Sequence, residues 1–397
     1  MTRFTPINSI PTTMHRLDRA SLEMPVLRAI AERYANARPL SGERIALCGH
    51  ITEATAIQVR TLHRLGAEIA WCASSTTTTD DAVRDAMTGE TAVIAGARGM
   101  SAVDLEDGVA KILDHWKDGP TLILDEGARL IRALSNPNRW SAAPRLAAEK
   151  TPEGIALAEG LHPRFPVLMS DMSVGKRLVD NPHGTSQSLL DTIFTVTRVL
   201  PAGKTMLVCG YGRVGAGLAH KVRGLGARVL VAEIRPTRAL MATLNGFEVL
   251  PLAEALLQAQ IVCTVTGSKG VISSQHFTSL RDRAILVNGG HLPTEIDVAS
   301  LKSRASEEPF AEGLARFQLA NGRVVYLIAD GHIANLTVGT GNRNEVMDTT
   351  FASQVMALVA ARGHDLPPGL HSLPEDSEDE VARLIAKTLD LDVSSLA

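Results

Sequence analysis

The sequence predicts an α/β protein of two doubly wound, Rossmann-like domains with parallel sheets and a substrate site in the cleft between them. Three observations carry this. Short apolar runs alternate with amphipathic stretches from about residue 43 onward. A glycine-rich turn in the second half follows one such run and opens a helix. The length of 397 residues leaves room for two or three domains with full cores. Strands buried on both faces read as near-continuous apolar runs, and their alternation with helices marks βα units.

In the first half, Arg44–Cys48 reads as a strand, Thr52–Leu65 as a helix and Glu68–Cys72 as a strand. Ala92–Ala95 and Leu122–Leu124 read as further strands with a helix near Asp107–Trp116 between them, and Phe165–Met169 as another strand. In the second half, the helical periodicity of Ser186–Leu200 breaks at Pro201, Ala202 and Gly203. Strand Thr205–Cys209, helix Val214–Leu225 and strand Arg228–Ala232 follow, then strands at Glu248–Leu250, Ile261–Thr264 and Ala284–Asn288. Glu345–Ala361 places Val346, Phe351, Val355 and Leu358 at helical spacing. Beyond Pro367, Pro368 and Gly369 come an acidic stretch from Glu375 to Glu380 and a last helix, Val381–Leu389. Asn181-Pro182-His183-Gly184 is a turn signal, taken as the hinge between the halves, with a second hinge near Thr340–Arg343. The domains are therefore drawn as 1–182 with about 344–375, then 183–343, then a helical tail at 376–397.

Composition excludes several classes. Forty Lys and Arg against 43 Asp and Glu leave a net charge of −3, and aromatic residues are only 4%. A nucleic-acid binder needs a basic face and stacking rings, so none is expected as a partner. No apolar run reaches the roughly 18 residues of a membrane span. Met1 to Thr13 has no apolar core of a signal peptide. Cys48, Cys72, Cys209 and Cys263 are far apart in apolar runs and read as reduced thiols of a cytoplasmic protein. Nothing has metal-ligand spacing, so no metal is expected.

Val208-Cys209-Gly210-Tyr211-Gly212-Arg213-Val214-Gly215 is a GxGxxG turn between a strand and a helix. Gly210 permits the tight turn, Gly212 lets the backbone approach a pyrophosphate, and Gly215 lets helix and strand pack closely. The amides of Arg213 and Val214 open the helix whose N-terminus attracts phosphate. About 20 residues on, Glu233 ends the next strand, where an acid takes the adenosine ribose of NAD and repels the extra phosphate of NADP. Arg235 pulls toward NADP, and NAD is the expected cofactor.

More than the turn is patterned. Gly226-Ala227-Arg228-Val229, Glu233-Ile234, Asn288-Gly289-Gly290-His291 and Glu295-Ile296-Asp297 occur in order. So do Glu23-Met24-Pro25, Glu32-Arg33-Tyr34, Gly66-Ala67-Glu68, Ile123-Leu124-Asp125, Lys176, Asp180-Asn181, Asn335-Leu336 and Gln354-Val355-Met356-Ala357. Across about residues 20–375 the chain resembles S-adenosylhomocysteine hydrolase. That family oxidises a nucleoside 3′-hydroxyl with tightly held NAD, removes the acidified 4′ proton, expels the 5′ substituent, adds water and returns the hydride. The resemblance implies that Lys176 and Asp180 handle the 3′-hydroxyl proton, with Asn181 beside them. It implies that His50 lies near the 5′ leaving group and His291 near nicotinamide and ribose, with Glu126 as a catalytic acid. Thr52 and Thr55 fall at substrate contacts, and Thr151, Thr266, Gly290 and Asn335 at cofactor contacts.

Departures from the family pattern cluster at the substrate. The paired aspartates become Asp125-Glu126, and the acid that grips the ribose hydroxyls becomes Lys150 in Glu149-Lys150-Thr151-Pro152-Glu153. A Lys there donates where the acid accepts. A Glu near adenine becomes Ala54, a Met-Gly-His segment becomes Thr340-Gly341-Asn342, and a Cys becomes Thr185. The Lys- and Tyr-containing tail of the family has no counterpart before Ala397. Lys150, Thr340 and Asn342 are thus expected at a remodelled substrate pocket. A site whose polar partners change should change its substrate. The expectation is a nucleoside dehydratase of the kind used in nucleoside-antibiotic synthesis, whose 5′ leaving group is water. The alternatives are an S-adenosylhomocysteine hydrolase, a redox epimerase of a nucleoside sugar, or a non-catalytic NAD-binding regulator. The expected partners are a small nucleoside substrate and further copies of the chain, a tetramer as in the family or a dimer.

Overall fold

The computed structural model describes residues 12–136, 143–360 and 365–392. Residues 1–11, most of the stretch read for a signal peptide, and 393–397 lie outside them. The chain divides into two compact units, Met1–Lys176 with Met347–Ala397 and Arg177–Val346.

In unit 1, the apolar runs form β1 (Arg44–Cys48), β2 (Glu68–Cys72), β3 (Val93–Ala95), β4 (Leu122–Asp125), β5 (Leu146–Glu149) and β6 (Pro166–Met169). With strand Gly369–His371 they make a seven-stranded sheet ordered Gly369–His371, β6, β5, β4, β1, β2, β3. Every pairing is parallel. The chain runs outward from β1 to β3 and returns on the other side at β4, so the order reverses between β1 and β4. That switch point opens a crevice at the carboxyl ends of the strands, where such sheets bind ligands. Side-chain caps start the helices around it. Thr52 accepts from the Thr55 amide, Asp80 from Ala82 and Val83, and Ser101 forms a capping box with Asp104.

Helix Asn344–Ala360 is buried from Asp348 to Leu358. Its Asp348 accepts the amides of Val26 (2.7 Å) and Leu27 (2.8 Å), which open helix Pro25–Arg33. Burial nevertheless pushes this carboxyl up to about 7. The C-terminal helix Glu375–Thr388 buries Val381 in the same core.

Unit 2 contains β7 (Thr205–Cys209), β8 (Arg228–Ala232), β9 (Glu248–Val249), β10 (Ile261–Thr264), β11 (Ala284–Asn288), β12 (Ala305–Ala311), β13 (Leu314–Leu319) and β14 (Val324–Ile328). The eight strands are ordered β12, β13, β14, β11, β10, β7, β8, β9. From β14 to β9 the sheet is parallel and doubly wound, with its switch point between β7 and β10. The edge departs from the purely parallel expectation, because β12, β13 and β14 form an antiparallel meander. β12 is almost wholly exposed and carries Glu307, Glu308 and Pro309, features that blunt a sheet edge.

The turn expected at Asn181–Gly184 is not a break. Residues Gly175–Thr185 form a π-helical stretch that runs directly into helix Ser186–Thr197. A π turn skips the usual bond register, which accommodates Pro182 without an amide hydrogen. The Pro182 carbonyl is used elsewhere, accepting Ser186 Oγ at 2.6 Å and Lys221 Nζ at 3.3 Å. Gly217 lies against that carbonyl, and a Cβ there would collide with it. The four cysteines are free and buried. Among the described residues, no helix is long and apolar enough to cross a membrane.

Candidate active site

Each unit gathers its polar residues at the carboxyl edge of its sheet. In unit 1, His50 follows β1, Glu126 follows β4, and Lys150 follows β5. His50 Nε2 lies 2.9 Å from Glu126 Oε1, and Lys150 Nζ lies 3.0 Å from Glu126 Oε2. Lys150 is only 8% exposed, and its ammonium sits 5.2 Å from the centre of the Phe351 ring. Burial opposes the Glu126 charge, but His50 and Lys150 outweigh it and hold the carboxyl well below the usual carboxylate range. Lys150, where the resemblance places a sugar-gripping acid, is therefore an internal counter-ion to Glu126.

Two side chains that the sequence did not single out complete this cluster. Thr78 Oγ1 is 2.6 Å from His50 Nδ1. Ser74 Oγ donates to Glu126 Oε2 at 3.3 Å and lies 3.3 Å from His50 Nδ1. The available signal was the hydroxyl run Ser74-Ser75-Thr76-Thr77-Thr78-Thr79 just past β2, a strand beside the switch point.

Asp125 and Glu149, register partners on β4 and β5, form a second acidic pair beneath. Glu149 accepts the amides of Gly127 (3.1 Å), Ala128 (2.8 Å) and Thr151 (2.8 Å) and the Thr151 hydroxyl (2.7 Å). Asp125 accepts the amides of Glu126 (2.9 Å) and Ile131 (2.8 Å). Burial raises Asp125 to about 6, while burial and the Asp125 charge raise Glu149 to about 8. The pair shapes the loops that present Glu126 and Lys150. Thr151 also caps helix Pro152–Leu161 through Gly154. Thr52 and Thr55 pair at 3.2 Å between hydroxyls at the start of their helix.

In unit 2, Gly210 adopts φ +97 after β7, and a Cβ on Gly215 would collide with the Gly210 carbonyl oxygen. Arg213 and Val214 occupy the first turn of helix Arg213–Gly224. Glu233 accepts the Tyr211 amide at 2.7 Å and the Arg235 amide at 2.8 Å, which fixes its carboxylate beside the glycine turn. Past β10, the amide and hydroxyl of Thr266 donate to Glu295 at 3.0 and 2.8 Å, and Gly267 donates to it at 2.7 Å. Buried Glu295, which the sequence offers only within the family-like run Glu295-Ile296-Asp297, organises this loop. Gly290 donates to Asn288 Oδ1 at 2.8 Å. His291 and Thr340 are exposed.

A polar chain runs through the same unit. Asn335 Nδ2 donates to Ser188 Oγ (2.9 Å), Ser188 donates to Asn342 Oδ1 (2.9 Å), and Asn342 Nδ2 donates to Asp180 Oδ1 (2.8 Å). Thr185 also donates to Asp180 Oδ1 at 3.1 Å. The Asp180 side chain is fully buried, Asn181 is 9% exposed, and Lys176 is half-buried on the same π-helical stretch. Asn335 Oδ1 is buried and takes no hydrogen bond from the described residues. The steric cradle of Gly210 and Gly215, the fixed acid Glu233 and this orphan acceptor fit a dinucleotide with a carboxamide. Its pyrophosphate would meet the Arg213–Val214 amides, and its adenosine ribose Glu233.

A family model described as "S-adenosyl-L-homocysteine hydrolase, NAD binding domain" matches residues 181–341, and one described as "S-adenosyl-L-homocysteine hydrolase" matches 6–164. Adenosylhomocysteinase of Nostoc sp. is 36% identical over 97% of this chain and 92% of its own. S-inosyl-L-homocysteine hydrolase of Methanopyrus kandleri is 34% identical over 97% of this chain and 92% of its own. Among solved structures, a dipicolinate synthase polypeptide from Bacillus halodurans shares the fold, with a TM-score of 0.51 at 14% identity over 81% of this chain and 99% of that one.

Proposed function

Because the chain belongs to the S-adenosyl-L-homocysteine hydrolase family, and is therefore an NAD-dependent enzyme of the adenosylhomocysteinase type, we propose that it eliminates water from the 5′ carbon of a nucleoside. NAD held by the Gly210–Gly215 turn and Glu233 would supply a hydride acceptor for the 3′ carbon and the return of that hydride at the end of the cycle. Lys176 and Asp180 take the 3′-hydroxyl proton. The Asn335–Ser188–Asn342 chain and Thr185 orient the Asp180 carboxyl group. With a ketone at C3′, the C4′ proton becomes acidic, its electrons form the C4′–C5′ double bond, and the 5′ group departs. His50, fixed by Glu126, serves the leaving group.

The observation that carries this reading is the Lys150–Glu126–His50 array, buried at Lys150 and Glu126. It replaces an acid for sugar hydroxyls with a positive charge behind the acid–base histidine. Proton delivery matters far more to an oxygen leaving group than to sulfur. A second reading, hydrolysis of an S-nucleosylhomocysteine, is favoured by the names of the relatives.

The test is mass spectrometry of the purified protein with 5′-hydroxyl nucleosides, S-adenosylhomocysteine and S-inosylhomocysteine in turn. Loss of one water from a nucleoside, with no homocysteine released from the thioethers, is expected. Homocysteine release with intact 5′-hydroxyl nucleosides would replace the proposal with the hydrolase reading. An isomer of unchanged mass would point to epimerisation, and no turnover beside tight NAD binding to a regulator.

A further inference from the structure

Four side chains of unit 1 are linked head to tail: Lys150 to Glu126, Glu126 to His50, and His50 to Thr78. Lys150 is 8% and Glu126 9% exposed, whereas His50 and Thr78 are both partly exposed, so the chain runs from the interior outward. An ionised carboxylate only accepts, so the proton between Glu126 and His50 sits on Nε2. That leaves Nδ1 as the nitrogen that exchanges a proton with the Thr78 hydroxyl, 2.6 Å away. A carboxylate, an imidazole and a hydroxyl in this order pass a proton between hydroxyl and ring while the carboxylate stabilises the imidazolium. Lys150 adds a fixed charge that keeps Glu126 from taking the Nε2 proton.

We propose that Lys150, Glu126, His50 and Thr78 form a proton relay that protonates a departing oxygen through the Thr78 hydroxyl, which makes nucleosides with a free 5′-hydroxyl the substrate class. This rests on the redox-elimination reading above. In the 3′-keto compound, the C4′–H bond breaks to a base and its electrons become the C4′–C5′ double bond. The C5′–O bond breaks with its pair on oxygen. Thr78 gives that oxygen its proton and takes the Nδ1 proton of the His50 imidazolium, so water leaves and the ring ends neutral. The need for the proton follows from the leaving groups. Water has a pKa of about 15.7, against about 8.5 for a thiol, so sulfur departs unaided where oxygen does not. Thr78 is then a catalytic residue, and Lys150 a positioning residue acting through Glu126.

The test compares one nucleoside carrying either a 5′-hydroxyl or a 5′-chloride, since chloride departs without a proton. Wild type, Thr78→Val, Thr78→Ser and Lys150→Met are assayed for NAD reduction by substrate and, separately, for 5′ elimination by mass spectrometry. Thr78→Val and Lys150→Met should slow loss of water by about 10²-fold or more, the usual share of general acid catalysis. Loss of chloride should be slowed far less than loss of water, and Thr78→Ser should restore loss of water. If Lys150→Met does not fold, Lys150→Arg, which keeps the charge, is measured against Thr78→Val. Equal slowing of both substrates, or unslowed loss of water in Thr78→Val, would overturn the relay. Wild type that expels chloride and thioethers but never water would overturn the relay while leaving the redox cycle standing. Wild type that reduces no NAD with either compound would sink the redox reading itself and the relay with it.

Discussion

Single residues decide which atoms are available for chemistry, and Ser188 shows this most clearly. Its hydroxyl joins Asn335 to Asn342, and through Asn342 it reaches Asp180. Ser188→Ala should strand the Asn335 amide nitrogen and the Asn342 oxygen in a buried place, at a cost of about 1–3 kcal/mol. The expected outcome is a lower melting temperature together with slower NAD reduction by substrate, measured by absorbance in single turnovers. A variant that melts early but reduces NAD at the wild-type rate would make the chain structural only. His50 and Asp180 were legible at a strand end and in a family-like segment, and Glu126, Lys150 and Asn342 as departures from the family pattern. Ser188 was not, because its partners are 147 and 154 positions away. Thr78 and Ser74 were hidden differently, in a hydroxyl-rich loop that reads as ordinary turn composition until β2 is placed beside β1.

Among elements, the parallel strands were readable because burial on both faces imposes an apolar run. β5 was not, since Leu146-Ala147-Ala148-Glu149 has no β-branched residue and ends in an acid. The β12–β14 meander escaped notice because its outer strand is exposed and carries no apolar pattern. Helix Asn344–Ala360 was readable in extent, but not the role of Asp348, whose partners lie on helix Pro25–Arg33. That clasp carries a pH signature. Burial raises the Asp348 carboxyl from its usual range near 4 to about 7. Between those values the native state binds more protons than the unfolded chain, so stability falls as pH rises through the window and levels off above 7. Denaturant titrations from pH 4.5 to 7.5 should show this decline in wild type and a shallower one in Asp348→Asn. Equal slopes would mean that Asp348 is ionised throughout.

At the scale of the whole molecule, each unit has its own core and its own polar edge. The tryptophans bear on this: Trp71 and Trp116 are buried in unit 1, and the sequence has no tryptophan within Arg177–Val346. Tryptophan fluorescence therefore follows unit 1, while far-ultraviolet circular dichroism follows both. A ligand at a hundred times its Kd adds about 2.7 kcal/mol to whatever binds it. The glycine turn, Glu233 and the unpartnered Asn335 oxygen all belong to unit 2, whereas the Thr151 hydroxyl in unit 1 is already held by Glu149 and Gly154. Added NAD should therefore move the dichroism transition upward and leave the tryptophan transition nearly in place. Gly215→Ala, whose new methyl collides with the Gly210 carbonyl, should abolish the shift while the protein remains folded without ligand. A tryptophan transition that climbs in step with the dichroism would show instead that NAD engages unit 1 as strongly as unit 2. It would also support Thr151 as a cofactor contact, because no other expected cofactor residue lies in that unit.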